Sequence, residues 1–220
     1  MKITVVLAAL VAAAGSAAAS NEVITSWVNF GQPGNQAFSA VGTEASNVTG
    51  ANLTRGSGLT PSAAANSLSA SGWSFADAND YFAFGFTVDS GYSVDLSELW
   101  MGIRSSGTGP GLMGLYYSGD GFSTALSTFN MAPGANFVNT IVNLSALSGL
   151  TGTVEFRLKM AADIAANGGA VGSGGTFRAG DHLDGNGTFT EMRFTGKVVP
   201  APASLALLGL GGLVATRRRR

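Results

Sequence analysis

Cysteine is absent from this 220-residue chain, and charged residues make up only 11% of it. Without cysteine the fold contains no disulfide and depends on its own apolar core. Low charge together with 32 glycines is a composition that could indicate disorder. The 13 phenylalanines and a regular alternation of apolar residues instead predict a folded domain.

The first 19 residues have the pattern of a secretory signal. Lys2 precedes the apolar stretch Ile3–Ala14, and small residues then end in Ala17, Ala18 and Ala19. These are the positive region, the apolar region and the cleavage site of a signal peptide. We expect the Sec translocon to export the chain and signal peptidase to cleave after Ala19. A membrane-spanning start is the alternative, but twelve apolar residues fall short of the roughly 20 that span a bilayer.

The 180 residues from Ser20 to Val199 form a body of ordinary domain size. Lys2 and the four terminal arginines account for five of the 12 basic residues. The body therefore has 7 basic residues against 13 acidic ones, a net charge of −6. It lacks the basic footprint of a nucleic-acid-binding domain, and we expect no nucleic-acid partner.

Apolar residues recur every second position in three segments of the body, Tyr81–Asp89, Thr153–Met160 and Phe189–Val198. This period is typical of half-buried β-strands. The residues predicted to face the core are Phe82, Phe84, Phe86, Val88, Val154, Phe156, Leu158, Met160, Met192, Phe194 and Val198.

Many short strands separated by turn residues, with few helical periods, predict an all-β, antiparallel, jelly-roll-like sandwich over residues 20–199. The Ala/Ser-rich segment Thr60–Ser71 and the Gly-rich segment Asn167–Gly175 are predicted to be mobile loops. The further predicted strands are Val23–Phe30, Val48–Arg55, Leu99–Arg104, Leu112–Tyr117, Phe137–Leu144 and Thr176–Ala179.

The chain ends in a short apolar segment between prolines and arginines. Pro200 and Pro202 can end a strand and open a helix. Ala203–Thr216 has no charged residue and would form about 21 Å of helix. Arg217–Arg220 would reach the lipid headgroups and stay on the cytoplasmic side. The sequence thus predicts that a C-terminal helix holds the body outside the inner membrane.

This ending, with Val199, Pro200, Ala201 and Pro202, then a Leu/Gly-rich run and the terminal arginines Arg217, Arg218, Arg219 and Arg220, resembles the PEP-CTERM sorting signal. The resemblance implies recognition by an exosortase, a membrane cysteine protease or transpeptidase, and delivery to the cell surface or biofilm matrix. Ala201 departs from the family pattern, which has glutamate between the prolines. A plain membrane anchor is the alternative.

Three stretches of the body, Asp80–Phe129, Val142–Ala161 and Gly174–Pro200, resemble the extracellular domain often found ahead of PEP-CTERM tails. That domain is similar to jelly-roll or galactose-binding-like sandwiches. No established activity follows from this second resemblance.

Catalytic motifs are weak throughout the body. Gly109–Gly114 matches G-x-G-x-x-G, but it contains a proline and precedes a strand-like segment, which favours a hairpin turn over a dinucleotide site. His182 is the single histidine, and no nucleophile elbow accompanies it. Glu155 and Glu191 are the pair to test for glycoside cleavage, although both alternate with basic residues on a predicted solvated face.

Calcium is the one metal worth considering, because flexible loops rich in oxygen ligands can bind it. The first candidate set is Asp77, Asn79 and Asp80. The second set is Asp181, Asp184 and Asn186, in a glycine-rich loop. Neither set has the full spacing of a calcium loop, and the same residues are common turn formers.

Aromatic residues could form a platform for sugar rings, with nearby polar groups for the hydroxyls. Trp73 and Tyr117 are the preferred candidates because each adjoins a loop or turn and is predicted to be exposed. Core packing is the alternative, as aromatic residues in strands are commonly buried. The remaining members of the aromatic set are Trp27, Trp100 and Tyr116.

Three classes of function follow from these patterns. The favoured class is a non-catalytic surface or matrix protein that is structural or adhesive in the envelope or exopolysaccharide layer. A carbohydrate-binding module is the first alternative. A polysaccharide hydrolase or lyase is the second.

Overall fold

A computed structural model describes residues 21–134, 136–183 and 187–200 of the chain. The predicted signal peptide and the tail beyond Pro200 lie outside the described residues. The last strand, Met192–Pro200, reaches the final described residue.

The described chain is built from β-strands, with one short 3-10 turn at Ser118–Asp120. The strands are β1 Glu22–Trp27, β2 Phe38–Ser39, β3 Val41–Glu44, β4 Val48–Arg55, β5 Thr60–Pro61, β6 Ser67–Ser71, β7 Tyr81–Val88, β8 Tyr92–Ser105, β9 Leu112–Tyr117, β10 Ser127–Asn130, β11 Val138–Asn143, β12 Gly152–Met160, β13 Phe177–Gly180, β14 His182–Leu183, β15 Phe189–Thr190 and β16 Met192–Pro200.

Two antiparallel sheets form the sandwich. Sheet A has the order β3-β1-β16-β8-β13-β6-β5, and β11 also pairs with β8. Sheet B has the order β10-β9-β12-β7-β4-β2. The long strand β8 organises sheet A, because β16, β13 and β11 all pair with it. The short strands β14 and β15 pair separately as a hairpin. The predicted antiparallel β-sandwich is confirmed.

Aromatic side chains from both sheets meet in the core. Phe194 of sheet A lies 5.6 Å from Phe84 and 4.7 Å from Phe156, both of sheet B, measured between ring centroids. Trp27 of sheet A contacts Phe84 edge-on at 5.1 Å. Edge-on, tilted and stacked contacts of this kind are favourable beyond the apolar area they bury. The alternation predicted for β7, β12 and β16 is confirmed, except that Val198 is only partly buried against this core. The single strand predicted over Phe189–Val198 is wrong at its start, because the segment is divided into β15, which pairs with β14, and β16, which pairs with β8.

The prediction of a mobile loop over Thr60–Ser71 is wrong for its second half. Ser67–Ser71 is strand β6, paired with β13 and β5, and Leu68 and Ala70 are fully buried. The sequence signal was weak because serines occupy the alternate positions. Those small residues suit a strand that is buried on both faces, and the Ser69 carbonyl accepts a hydrogen bond from Arg55 Nε at 2.9 Å.

The segment Gly109–Gly114 leads from β8 of sheet A into β9 of sheet B. It is therefore a connection between the sheets, and the predicted hairpin turn is wrong. A strand follows it, whereas a dinucleotide site requires a helix at that position.

Residues 21–134, 136–183 and 187–200 include no helix with the length and apolar character needed to traverse a bilayer.

Candidate functional site

The outer face of sheet B carries aromatic and cationic side chains from the neighbouring strands β7, β12 and β9. Along β12, Val154, Phe156 and Leu158 point into the core, so Arg157 and Lys159 point to the outer face. Tyr81 of β7 is directly opposite Lys159 in register, and Tyr116 of β9 is opposite Arg157.

Two loops beside this face border a hollow of about 460 Å³. One loop precedes β7 and contributes Phe75 and Asp77, and the other follows β9 and contributes Phe122. Phe75 is 52% exposed, which is high for an aromatic side chain. The hollow is thus open to solvent and has aromatic, cationic and carboxylate groups at its border.

Arg157 is fixed between two aromatic rings. Its guanidinium carbon lies 4.0 Å from the ring centroid of Tyr81 and 4.0 Å from that of Phe122. Its Nε donates to Glu155 Oε1 at 2.6 Å. Stacking and the ion pair together restrain a side chain that would otherwise lose considerable rotamer entropy on binding a ligand.

Lys159 is held by the same loop. Its Nζ donates to the Phe122 carbonyl at 3.1 Å and lies 4.0 Å above the Tyr116 ring centroid. Burial lowers the pKa of Lys159, and the nearby Arg157 lowers it further, whereas Asp120 opposes this shift. The two cations are therefore preorganised side by side.

The loop that presents Phe122 contains unusual backbone geometry. Gly121 and Phe122 have φ values of 68° and 60°, in the left-handed region. A bulky residue rarely adopts this region, which costs roughly 1–2 kcal/mol. Asp120 stabilises the turn, because its carboxylate accepts the N–H groups of Ser123 and Thr124 at 3.2 and 3.0 Å. Backbone strain of this kind occurs often at functional sites.

Trp73 does not belong to this surface, and the expectation that it is exposed is wrong. Its side chain is 4% exposed, and its ring packs edge-on against Phe82 and Phe177. The indole Nε1 donates to the Ala70 carbonyl at 2.9 Å. A ring enclosed on both sides cannot stack on a sugar, so Trp73 is a core residue.

The remaining aromatic candidates are dispersed. Tyr117 is half-buried and packs 5.3 Å from Phe156, and Trp27 is fully buried. Trp100 lies on sheet A, where its Nε1 donates to Glu98 Oε2 at 2.8 Å. Of the aromatic set considered from the sequence, only Tyr116 borders the hollow on sheet B.

The residues Asp77, Asn79 and Asp80 form a turn. Asp77 Oδ1 accepts the Asn79 N–H at 2.8 Å, and Asp80 Oδ2 accepts the Ser74 N–H at 2.6 Å. Asp80 is buried against Gly58, and burial raises its pKa. These contacts favour the turn-forming interpretation over calcium binding.

Asp181, from the second calcium set, is buried as well, while Asp184 and Asn186 lie outside the described residues. Within the described ranges, no three or more His, Asp or Glu side chains are grouped so that they could hold a metal ion. Burial raises the pKa of Asp181 to about 6, although hydrogen bonds from Asn29 and the backbone of Met192 oppose that shift.

The two glutamates considered for glycoside cleavage are not brought together. Glu155 is on β12 of sheet B, in the ion pair with Arg157. Glu191 precedes β16 of sheet A and accepts a hydrogen bond from Ser26 Oγ at 2.5 Å.

His182 is buried beside Trp100, with ring centroids 4.9 Å apart.

No family model and no curated protein matches this chain. Solved structures of family 29 carbohydrate-binding modules give a TM-score of 0.37. One CBM29-2 mutant is 13% identical, over 81% of this chain and 92% of the module. Another CBM29-2 mutant, complexed with cellulohexaose, has the same TM-score and identity and is covered over 90% of its length. A likeness this weak carries no conclusion about the ligand of this chain.

The alternation of Thr153–Met160 predicted that Arg157 and Lys159 face outward, but no sequence pattern indicated a binding site there. Phe75, Tyr81 and Phe122 were missed. Tyr81 could have been found from its position out of phase with the buried phenylalanines of β7. The approach of two loops 40 or more residues apart has no local sequence signal.

Proposed function

We propose that this protein is an exported, non-catalytic component of the cell surface or extracellular matrix, and that its sandwich binds carbohydrate through the hollow on sheet B. The observation that carries the proposal is the stacking of Arg157 between Tyr81 and Phe122 at the border of that hollow. Aromatic faces pack against the apolar faces of sugars, and fixed cationic donors bind hydroxyl oxygens.

The fixed conformations of Arg157 and Lys159 support a binding site over the alternative that the two residues are ordinary surface charges. A solvated arginine or lysine moves freely and must be ordered when a ligand arrives. Here the ordering cost of Arg157 and Lys159 has been met within the fold, because both contact the strained loop at Phe122.

A non-catalytic role is supported by the positions of the carboxylates. Glycoside hydrolases need two carboxyl groups about 5–10 Å apart on either side of the scissile bond. Glu155 forms an ion pair with Arg157, and Glu191 lies beside β16 of the other sheet. The hydrolase or lyase alternative therefore has no support from the pair that the sequence suggested.

Export rests on the two ends of the sequence. The signal-like residues 1–19 support translocation, and the ending from Val199 to Arg220 supports temporary retention in the inner membrane and recognition by an exosortase. The partners of this route would be the Sec translocon, signal peptidase and an exosortase. Exopolysaccharide would be the ligand after release.

Intact mass of the protein recovered from cells and from medium tests this route. The proposal expects loss of residues 1–19 in both fractions and loss of the arginine tail in the medium. Unprocessed full-length chain in the cytosol would contradict it.

Glycan-array screening followed by calorimetry tests the binding site. Arg157→Ala and Phe75→Ala should each weaken binding of a neutral oligosaccharide hit at least tenfold. Phe75 is largely exposed, so its substitution leaves the core intact. Arg193→Ala is the matched control, because Arg193 stacks on Trp100 at 4.8 Å on the other sheet. Unchanged affinity in both hollow variants would overturn the proposed site.

A further inference from the structure

A pair of arginines faces outward from sheet A. Arg104 of β8 and Arg178 of β13 are direct partners in register. Their neighbours Ile103 and Ala179 are buried in the core. Because side chains alternate along a strand, both arginines project from the outer face, opposite to the face that carries the hollow on sheet B.

The described residues leave this pair without a countercharge. Among them, the one ion pair is Arg157 with Glu155. Arg104 uses its Nε to donate to the Gly134 carbonyl at 2.7 Å, which leaves its terminal nitrogens available. Burial lowers the pKa of Arg178, and the charge of Arg104 lowers it further. Like charges directly opposite each other destabilise a sheet, so the fold retains this pair at a cost.

The two arginines line a hollow of about 370 Å³ with aromatic walls. Phe137 forms one wall, and it lies close to Gly102 and Gly180, the register pair two positions along the strands and on the same face as the arginines. A Cβ atom on Gly180 would be 3.3 Å from the Phe137 ring. Phe189, which is 43% exposed, forms the other wall.

The wall formed by Phe189 continues into a wider exposed apolar surface. The Phe189 ring contacts Phe30 with a centroid distance of 5.1 Å, and Phe30 is 59% exposed. Leu183 also lines the hollow, and its N–H donates to Asn139 Oδ1 at 2.9 Å, so that β11 fixes its position. Exposed aromatic residues thus lie next to two cations that have no ion-pair partner among the described residues. Apolar patches on protein surfaces are commonly interaction sites.

We propose that Arg104 and Arg178 form a site for the carboxylate of an acidic sugar in a polysaccharide chain. The planar guanidinium donors match the two oxygens of a carboxylate, and Phe137 and Phe189 provide apolar surfaces for the sugar ring that carries it. A bound carboxylate would offset the repulsion between the two cations by its attraction to both.

This site goes beyond the proposed function, because it lies on the opposite sheet and selects for negative charge. Two sites on opposite faces allow one molecule to bridge two polysaccharide chains.

Calorimetry on the purified full chain tests the site with three probes: a galacturonic acid hexamer, its methyl ester, and a sulfated galactose hexamer. The acid should bind at least tenfold more tightly than the ester, which has the same rings without the charge. It should also bind more tightly than the sulfated probe. Equal affinity for acid and ester would overturn the proposal, and tighter binding of the sulfated probe would overturn the assignment to a carboxylate.

Variants locate the site. Arg104→Gln and Arg178→Gln should each weaken binding of the acid at least tenfold, with melting temperatures equal to or above that of the wild type because repulsion is relieved. Arg193→Gln on the same sheet is the matched control and should bind normally. If the arginine variants keep full affinity, the proposal is wrong.

Variants of the sheet B site distinguish a failure of this proposal from a failure of the proposed function. Phe75→Ala and Arg157→Ala should leave binding of the galacturonic acid hexamer unchanged. Loss of acid binding in these variants would instead place the carboxylate on sheet B and overturn the assignment to Arg104 and Arg178.

Discussion

Trp27 of β1 donates its indole N–H to the Ala51 carbonyl of β4 at 2.8 Å. The bond joins sheet A to sheet B, and the Trp27 ring is fully buried between Phe84 and Phe194. One side chain thus supplies both apolar contact and a directional link between the two layers.

Substitution Trp27→Phe should lower the free energy of unfolding by about 1–3 kcal/mol, since it removes the hydrogen bond and part of the ring volume. Urea unfolding followed by circular dichroism measures this change. Trp100→Phe is the control, because Trp100 is half-buried on an outer face, and its effect should be smaller. Equal losses in the two variants would show that the link between the sheets has little energetic weight.

Strand β6 should behave as core structure. Leu68 is fully buried, so Leu68→Ala should cost roughly 2–5 kcal/mol of stability. Leu126→Ala makes the same truncation at a side chain that is 39% exposed and should cost much less. Thermal or urea unfolding of both variants gives the comparison. A similar small cost for each would support the mobile loop that the sequence suggested.

Asp181 should make stability depend on pH. Its carboxyl is buried, and this raises its pKa from 3.8 to about 6 in the folded protein. The folded state therefore binds a proton more tightly than the unfolded state, and stability falls as the pH rises across this interval. Above it, this contribution should be constant.

Unfolding free energies measured in urea at several pH values test the effect. Asp181→Asn should remove the fall in stability between about pH 4 and about pH 6. Asp89→Asn, at an exposed position, should preserve the wild-type profile. A profile unchanged by Asp181→Asn would contradict the assignment.

Calcium should not stabilise the segment around Asp77. The carboxylates of Asp77 and Asp80 already accept backbone N–H groups in a turn. Melting temperatures measured with calcium and with a chelator should therefore agree. A clear rise with calcium that is lost in Asp77→Ala would restore the metal-binding interpretation.

Local sequence patterns predicted the central strands well, through apolar alternation in β7 and β12 and through the turn residues that separate the other segments. β4 and β9 begin and end at the predicted residues, and β7 and β12 differ from the prediction by one residue. Alternation is a local property, because each apolar residue of such a strand needs only the neighbouring layer to cover it. The short strands β2, β5 and β14, with two residues each, have no period to detect.

Only some residues of each candidate site could be predicted from the sequence. Arg157 and Lys159 were expected to face outward, but their aromatic partner Phe122 comes from a loop whose position depends on the turn at Asp120. Arg104 and Arg178 are 74 positions apart in the sequence, and only the pairing of β8 with β13 makes them neighbours.

The sequence by itself determined the all-β class, the apolar faces of the main strands, the acidic body and the signal-like ends, since each of these follows from composition or short-range spacing. Tertiary structure decided that Trp73 is enclosed, that Ser67–Ser71 is a buried strand, and which charged residues meet on each outer face. The physical reason is that burial and pairing depend on which distant segment covers a residue, and the period of a single strand carries no information about that partner.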